Sequence, residues 1–314
     1  MSAEPLAELS DLFVVAAVLL YLFAMVGFAL ELAFGRARVD ASAKGRARTP
    51  VTVGGGPASA PDAPPADTPV AETPRFAVLG GLAGLVLAWI GWAANLGAIV
   101  TRGLAVDRWP WGNMYEFVVA ICFAAVTAFL GTQLRNNIRF LGGFVMVAAA
   151  LGLGLAVKVF YTSAGPVVPA LNSYWIAIHV SAAILATGLF VLAGTSGVLY
   201  LVRGDGLSRL PSKADLEKAA HRAIVLAFPL WTFAVIAGAL WADRAWGRYW
   251  GWDPKEVWSF ITWVGYAAYL HARVTAGWRG RAATIVQLVA FLCLLFNLIG
   301  VNIFIDGLHS YADV

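Results

Sequence analysis

Six of the chain's thirteen tryptophans lie within residues 241–263, a segment that reads WADRAWGRYWGWDPKEVWSFITW. Three cationic side chains are interleaved with these indoles: Arg244, Arg248 and Lys255. Indole faces can stack on a large planar ring system, and arginine or lysine can pair with carboxylates at its edge. The tryptophan segment, residues 241–263, therefore predicts a binding site for a planar ligand that carries acidic groups.

The tryptophan segment also contains the start of a helix. Asp253 is a favourable N-cap, Pro254 suits the first helical position, and Glu256 is placed to complete a capping box. Gly247 and Gly251 disfavour a firm helix upstream. We expect the aromatic residues around them to form a flat platform on a turn-rich surface: Trp246, Tyr249, Trp250 and Trp252. An interfacial aromatic belt is the alternative, although a belt needs neither this cap nor clustering in one loop.

Composition places the segment in a membrane protein. Hydrophobic residues make up 60% of the chain and charged residues 13%, with a mean hydropathy of +0.75, whereas about a quarter of a soluble domain is charged. The two cysteines lie far apart in apolar runs, so neither a CxxC pair nor a disulfide framework is available. Eight apolar runs can each cross a ~30 Å hydrocarbon core. They predict an all-α polytopic bundle of about eight transmembrane helices, at residues 12–34, 76–99, 114–134, 140–161, 175–202, 223–242, 257–274 and 283–305.

Basic residues predict the orientation of this bundle. With both termini extracytoplasmic, only six of the twenty-two lysines and arginines lie outside: Arg102, Arg108, Lys158, Arg244, Arg248 and Lys255. The positive-inside rule then places the tryptophan segment on the outer face. The net charge of +4 reflects this bias and indicates no nucleic-acid partner. Residues 35–75, rich in Arg, Ala, Gly and Pro, predict a flexible cytoplasmic linker between a first helix (1–34) and a main domain (76–314).

The predicted topology gives each histidine a depth in the membrane. His179 lies one turn inside the outer end of its helix and His309 just beyond the last helix, so both share a side with the tryptophans. Two imidazoles on opposite sides of a haem iron are a common hexacoordinate arrangement, and haem is planar and acidic. His271, thirteen residues after Trp258, lies ~20 Å further in, where an ionisable residue predicts a functional site. Each could instead be a hydrogen-bonded structural histidine. His221 is expected to be a solvated residue of a cytoplasmic loop.

A second outer loop, residues 107–117 with the sequence DRWPWGNMYEF, repeats the pattern. Asn113 is placed to cap the following helix, and Glu116 to complete a capping box. Capping is the role we expect for both residues. Trp109 and Trp111 could line the same outer cavity as the tryptophan segment.

The run WGRYWGWDPKEVWSFITW, followed by YLHAR, preceded by SYWIAIHV and closed by GLHSY, resembles the WWD signature of the CcsA/ResC family of System II cytochrome c biogenesis. The resemblance covers roughly residues 76–314 and includes NMYE near residue 115. It implies that His179 and His309 are axial ligands of an outer haem b iron, and that His271 is a ligand of an inner one. It also implies that haem crosses the membrane and is presented to the CxxCH thiols of apocytochrome c.

The resemblance implies partners and further site residues. A CcsB/ResB-type membrane protein would supply a second transmembrane histidine, and a thiol-reducing thioredoxin-like protein would act indirectly. The chain would then be the haem-presenting subunit of a holocytochrome c synthase in a bacterial plasma membrane, or in a thylakoid membrane if organellar. The remaining residues expected at haem are Trp241, Trp246, Trp250, Trp252, Asp253 and Trp258, with Arg244, Arg248 and Lys255 as candidates to pair with propionates or with nearby carboxylates.

Three alternatives stay open at this point. A haem chaperone of the CcmC type would pass haem on without forming thioethers, although the run WDPKE followed by YLHAR favours the CcsA type. A cytochrome b-like electron-transfer subunit would place paired histidines at matched depths within helices. A transporter of another amphipathic solute would purify without haem.

Overall fold

The computed structural model describes residues 3–35, 38–39, 73–167, 173–204 and 207–309, so nearly all of the predicted linker lies outside the described residues. Eight long helices dominate the described part and confirm the all-α bundle. A π-helical turn (Phe296–Gly300) and the short α9 (Val301–Phe304) continue the eighth helix, and two-residue strands β1 (Arg38–Val39) and β2 (Leu207–Ser208) pair antiparallel. The long helices are α1 (Ala3–Phe34), α2 (Arg75–Val106), α3 (Met114–Gln133), α4 (Gly142–Val159), α5 (Tyr174–Val202), α6 (Lys213–Trp246), α7 (Pro254–Thr275) and α8 (Arg281–Leu295).

Seven helical segments of the described chain are long and apolar enough to cross a membrane. They are α1 to α6, with a 3₁₀ turn joined to α4, and the continuous run Arg281–Phe304. Helix α7 has 22 residues, or ~33 Å at the usual rise, but it is more polar than the others. Its first turn contains Lys255 and Glu256, and its buried face carries Thr262 and two tyrosines. The predicted count of about eight therefore holds for helix length, and α7 differs from the rest in composition.

Helices α1 and α6 begin well before the apolar runs that predicted them, at Ala3 and Lys213. Helix α6 starts at Lys213, where the Ser212 hydroxyl accepts the N–H of Asp215 at 3.1 Å. An apolar run indicates only the part of a helix that contacts lipid, so it does not reveal a polar first turn that begins at an N-cap. As a result His221 lies within α6, half-buried, with its Nδ1 3.3 Å from the hydroxyl of Tyr269. The prediction of a solvated loop histidine was wrong.

Small residues allow the helices to approach closely. A Cβ at Gly27 of α1 would lie 2.5 Å from the carbonyl oxygen of Gly80 on α2. A Cβ at Gly188 of α5 would lie 2.6 Å from the carbonyl carbon of Ala124 on α3. Close backbone approach of this kind is typical of membrane helices. Helix α5 packs against α3, α6 and α8, so it provides a fixed frame for the side chains at its first turns.

Candidate functional site

A cavity opens at the end of the bundle that carries the tryptophan segment. All of the empty space within it, including the part open to solvent at the mouth, is about 1080 Å³. Its walls come from the loop before α3, the start of α5, the end of α6, the start of α7, the π turn and the chain after α9. Most of the lining is apolar or aromatic. The lining includes Trp111, His179, Trp241, Trp250, Lys255, Asn297 and His309.

Helix α6 holds the His179 ring in place. The Nδ1 atom lies 2.7 Å from the carbonyl oxygen of Ala234. A carbonyl oxygen can only accept, so Nδ1 carries the proton and the lone pair is on Nε2. Gly238 makes room for the ring, because a Cβ there would lie 2.7 Å from Cε1 and 2.8 Å from Nδ1. The ring also stacks on Trp241, with centroids 6.0 Å apart and planes 11° apart.

His309, after α9, is held by Asp253 in the same way. Its Nδ1 lies 2.8 Å from Oδ1 of that carboxylate, which is only 6% exposed. The carboxylate also accepts the N–H of Leu308 on Oδ2 at 2.7 Å and the N–H of Lys255 on Oδ1 at 3.1 Å. A carboxylate paired with a histidine fixes both the tautomer and the orientation of the ring. Asp253 therefore has two roles: it positions the His309 ring, and it caps the start of α7.

Asp253 is charged in this setting. Burial alone raises the pKa of its carboxyl, but the hydrogen bonds from His309, Leu308 and Lys255 outweigh burial and hold the pKa below its ordinary value of 3.8. The predicted capping box is confirmed, since Oε2 of Glu256 accepts the N–H of Asp253 at 3.1 Å. Two bonds thus connect the loop to α7: the Asp253 carboxylate accepts the N–H of Lys255, and the Glu256 carboxylate accepts the N–H of Asp253.

The indoles do not form the flat platform that we expected: Trp250 lines the cavity, Trp246 and Trp252 do not, and the planes of Trp250 and Trp252 are 88° apart. Trp241 is 2% exposed and neighbours both histidines, with the His309 ring 5.6 Å away at 64°. Trp246 meets Trp241 edge-on at 4.8 Å and His309 edge-on at 4.9 Å. The expectation failed because α6 continues through Trp246 and turns only at Gly247, so helix and loop backbone direct the rings differently.

The other residues predicted around the tryptophan segment divide between the cavity and its outside. Lys255 lines the cavity, as Trp250 does. Arg244 and Arg248 are exposed and do not line it, and Trp252 is 70% exposed. Trp258 packs against the π turn. Of the three cations predicted as partners for acidic groups, Lys255 is the one that the fold brings to the cavity.

His271 is separate from this cavity. It lies four residues before the end of α7 and is exposed, with its Nδ1 3.4 Å from the hydroxyl oxygen of Thr275. Ile261, Val264 and Ala268 are exposed on the same stripe of the helix. The imidazole therefore faces away from the bundle, toward lipid or a second chain.

The loop before α3 behaves partly as predicted. Asn113 caps α3, accepting the N–H of Glu116 on Oδ1 at 2.9 Å. Glu116 does not complete the box, because its 1% exposed carboxylate pairs with Arg102 at 3.1 Å and Arg108 at 2.9 Å. This buried network fixes the loop, and Trp111 lines the cavity as predicted. Trp109 does not, since it lines a neighbouring cavity.

Sequence reasoning missed several lining residues. Gly238 and Trp231 of α6 lie in an apolar run with nothing to distinguish them. Asn297 of the π turn also lines the cavity; it is 4% exposed, and its Oδ1 has no hydrogen-bond partner among the described residues. A polar amide inside an apolar run was a usable signal, because such residues in membrane helices face the interior or a cavity.

A family model described as "Cytochrome C assembly protein" matches residues 111–309, a range that contains every residue found lining the cavity. The "Cytochrome c biogenesis protein CcsA" of Gloeobacter violaceus is 30% identical over 278 residues, covering 69% of this chain and 82% of that protein. The chain belongs to the CcsA family.

Other CcsA proteins match over similar lengths. The protein of Porphyra purpurea is 30% identical over 290 residues, which cover 76% of this chain and 89% of that protein. The protein of Chlamydomonas reinhardtii is 40% identical over 227 residues, which cover 68% of this chain and 64% of that protein. The family model begins at Trp111 and ends at His309, so helices α1 and α2 lie outside it while both cavity histidines lie within. Membership assigns this membrane protein to cytochrome c assembly.

Proposed function

We propose that the chain binds haem b in this cavity, with His179 and His309 as axial ligands of the iron, and presents it for attachment to apocytochrome c. One observation carries the proposal. Both imidazoles line one cavity, and each donates its Nδ1–H to a protein oxygen, the Ala234 carbonyl at 2.7 Å or the Asp253 carboxylate at 2.8 Å. Histidines that bind metal through Nε2 are held in this way.

The walls suit the same cargo. Trp111, Trp241 and Trp250 offer aromatic surface to a porphyrin and keep water from the iron. His179 is part of the long helix α5, whereas His309 follows the short α9 and is attached through Asp253. His309 is therefore the ligand that the histidine of an arriving CxxCH motif replaces. The cysteine thiols then add across the two vinyl groups, which forms the thioethers and leaves the protein's own residues unchanged.

Family membership and charge support the rest of the assignment. The relatives are named cytochrome c biogenesis proteins, which favours attachment of haem over electron transfer. The basic bias of the sequence supports an extracytoplasmic location for the cavity. The exposed stripe of α7 with His271 supports an inner haem site completed by a CcsB/ResB-type membrane partner. Haem would enter at that site and move outward to the cavity.

Co-expression tests the proposal directly. The chain is produced in haem-replete cells with its membrane partner and an apocytochrome c, and covalent haem is stained after denaturing electrophoresis. We expect holocytochrome to form, and the purified chain to show a Soret band and a b-type pyridine haemochrome. A colourless protein that supports no haem staining would instead favour the transporter of another solute.

The variant His271→Ala should separate the inner site from the outer cavity. Because His271 faces away from the bundle, its removal is expected to leave the fold intact and to deplete the haem that co-purifies. Haem content per protein is measured by pyridine haemochrome, and folding by thermal unfolding in detergent. Normal haem content in this variant would exclude an inner site at His271.

Gly238→Ala tests whether the position of His179 matters. The added methyl would lie 2.7 Å from the imidazole, so the ring must move and lose its bond to Ala234. A displacement of about 1 Å in a ligating group can lower function by roughly a hundredfold. We expect haem affinity to fall at least tenfold in a titration followed by the Soret band. Gly154→Ala on α4 is the matched control, since nothing lies within 4 Å of that Cβ position, and equal losses in both variants would contradict the assignment.

A further inference from the structure

We propose that Lys255 and Asn297 form a carboxylate-binding corner of the cavity, which holds a propionate of haem. The inference rests on the proposed haem function and deepens it. It selects one cation from the three that the sequence offered, and it adds an uncharged partner from the π turn.

Lys255 is a cation in the cavity lining whose electrostatic partner is Asp253, but no carboxylate oxygen of the described residues lies within salt-bridge distance of its ammonium group. The two nearby carboxylates are occupied, because Asp253 accepts from His309 and Leu308, and Oε2 of Glu256 accepts two backbone N–H groups. A charge enclosed by apolar walls is stabilised by a bound counter-ion. The cavity therefore favours a ligand that brings an anionic group to Lys255.

Asn297 supplies the second polar group. It lies in the π turn after α8, is 4% exposed, and has an Oδ1 with no partner in the described part of the chain. A buried polar atom left without a hydrogen bond is costly, and π turns occur often at functional sites. A side-chain amide carries both a donor and an acceptor, and half a turn about its last torsion exchanges them. A carboxylate in the cavity can only accept, so it would bind Asn297 through the N–H₂ group, and Oδ1 would need a separate donor.

Asp253 links this corner to the iron ligand. Its Oδ1 accepts both from Nδ1 of His309 at 2.8 Å and from the backbone N–H of Lys255 at 3.1 Å. One oxygen atom thus holds both the His309 ring and the backbone at Lys255. Haem carries its two propionates on one edge and its vinyl groups on the other side. A propionate at Lys255 would turn the vinyl groups away from this corner, where arriving thiols can reach them.

Arg244 and Arg248 provide the contrast. Both lie in the tryptophan segment, but both are exposed and neither lines the cavity. The guanidinium of Arg248 lies against Gly251, where a Cβ would be 2.2 Å from its Cζ. Arg248→Met therefore removes a neighbouring positive charge without touching the proposed corner, and it serves as the matched control for Lys255→Met.

The test compares haem b with its dimethyl ester, which keeps the iron and the vinyl groups but has no carboxylates. Each is titrated into the purified full-length chain in detergent and followed by the Soret band. We expect Lys255→Met to weaken haem binding about tenfold and to leave ester binding unchanged. Asn297→Leu should show the same selectivity with a smaller loss. Lys255→Arg should retain affinity for haem, and Arg248→Met should alter neither titration.

Three outcomes would overturn the inference. Haem binding could be unchanged in Lys255→Met, the variant could lose haem and ester equally, or the wild-type chain could bind both porphyrins alike. The second outcome would indicate that Lys255 only packs in the cavity. Failure of the haem proposal itself is distinguishable, because the wild-type chain would then bind neither porphyrin through His179 and His309.

Discussion

Replacing His179 or His309 with alanine is expected to abolish holocytochrome c formation. Each variant removes one of the two imidazoles that line the cavity with Nδ1 bound to a protein oxygen. Loss of a residue that only orients a ligating histidine lowers metal affinity or activity about 10–100-fold. Loss of the ligand itself should exceed that, so we expect a fall of at least about a hundredfold in haem-stained cytochrome c.

Imidazole and a matched histidine make this experiment specific. Added imidazole should restore part of the activity, because it can occupy the iron position that the alanine leaves vacant. His221→Ala is the control, since His221 is half-buried in α6 against Tyr269 and does not line the cavity. Normal maturation in both His179→Ala and His309→Ala would remove the ligand assignment. An equal loss in His221→Ala would show that the defect is one of folding.

Asp253→Asn is expected to have the next largest effect. Asparagine is also a good N-cap, so α7 should still begin at the same residue. The variant removes the negative charge that holds Nδ1 of His309 at 2.8 Å. We expect haem affinity to fall about 10–100-fold in a Soret titration while thermal stability changes little. Asp253→Ala should bind no better and should also lose about 1 kcal/mol of helix capping.

Ser212→Ala provides the control for that capping loss. Ser212 caps the start of α6, where its hydroxyl accepts the N–H of Asp215 at 3.1 Å. Its replacement should cost a similar amount of stability and leave haem binding unchanged. Wild-type affinity in Asp253→Asn, or weakened binding in Ser212→Ala, would argue against a positioning role for Asp253.

The same carboxylate predicts a pH dependence with a definite sign. The folded-state pKa of Asp253 lies below its ordinary value of 3.8, so its contribution to stability is present above 3.8 and is lost as pH falls through the folded value. The bond from His309 to Asp253 should therefore persist through the neutral range and be lost below pH 3.8. In thermal unfolding of the haem-free chain at a series of pH values, the wild-type chain should show this acid loss of stability and Asp253→Asn should lack it.

The helix caps and the membrane-crossing helices could be predicted from the sequence without the tertiary structure. The Asp253–Glu256 capping box and the Asn113 cap depend on residues three positions apart, so sequence spacing is enough to predict them. The apolar runs predicted the bundle because membrane-crossing length depends on composition alone. The nearness of His179 and His309 to the tryptophans followed from topology, which ranks residues by depth in the membrane. Each of these predictions concerns a single helix, a single loop or the depth of a residue in the membrane.

Side-chain direction required the tertiary structure. Trp241 and Lys255 face the cavity while Trp252 and Arg248 face outward, although all four belong to one segment of similar composition. Their directions depend on how α6, the loop and α7 pack, which residue type does not encode. The partners of the two histidines are also distant in the chain, at Ala234 and Asp253. A hydrogen bond between such positions forms only when helices meet, because each partner's place is set by packing elsewhere in the bundle.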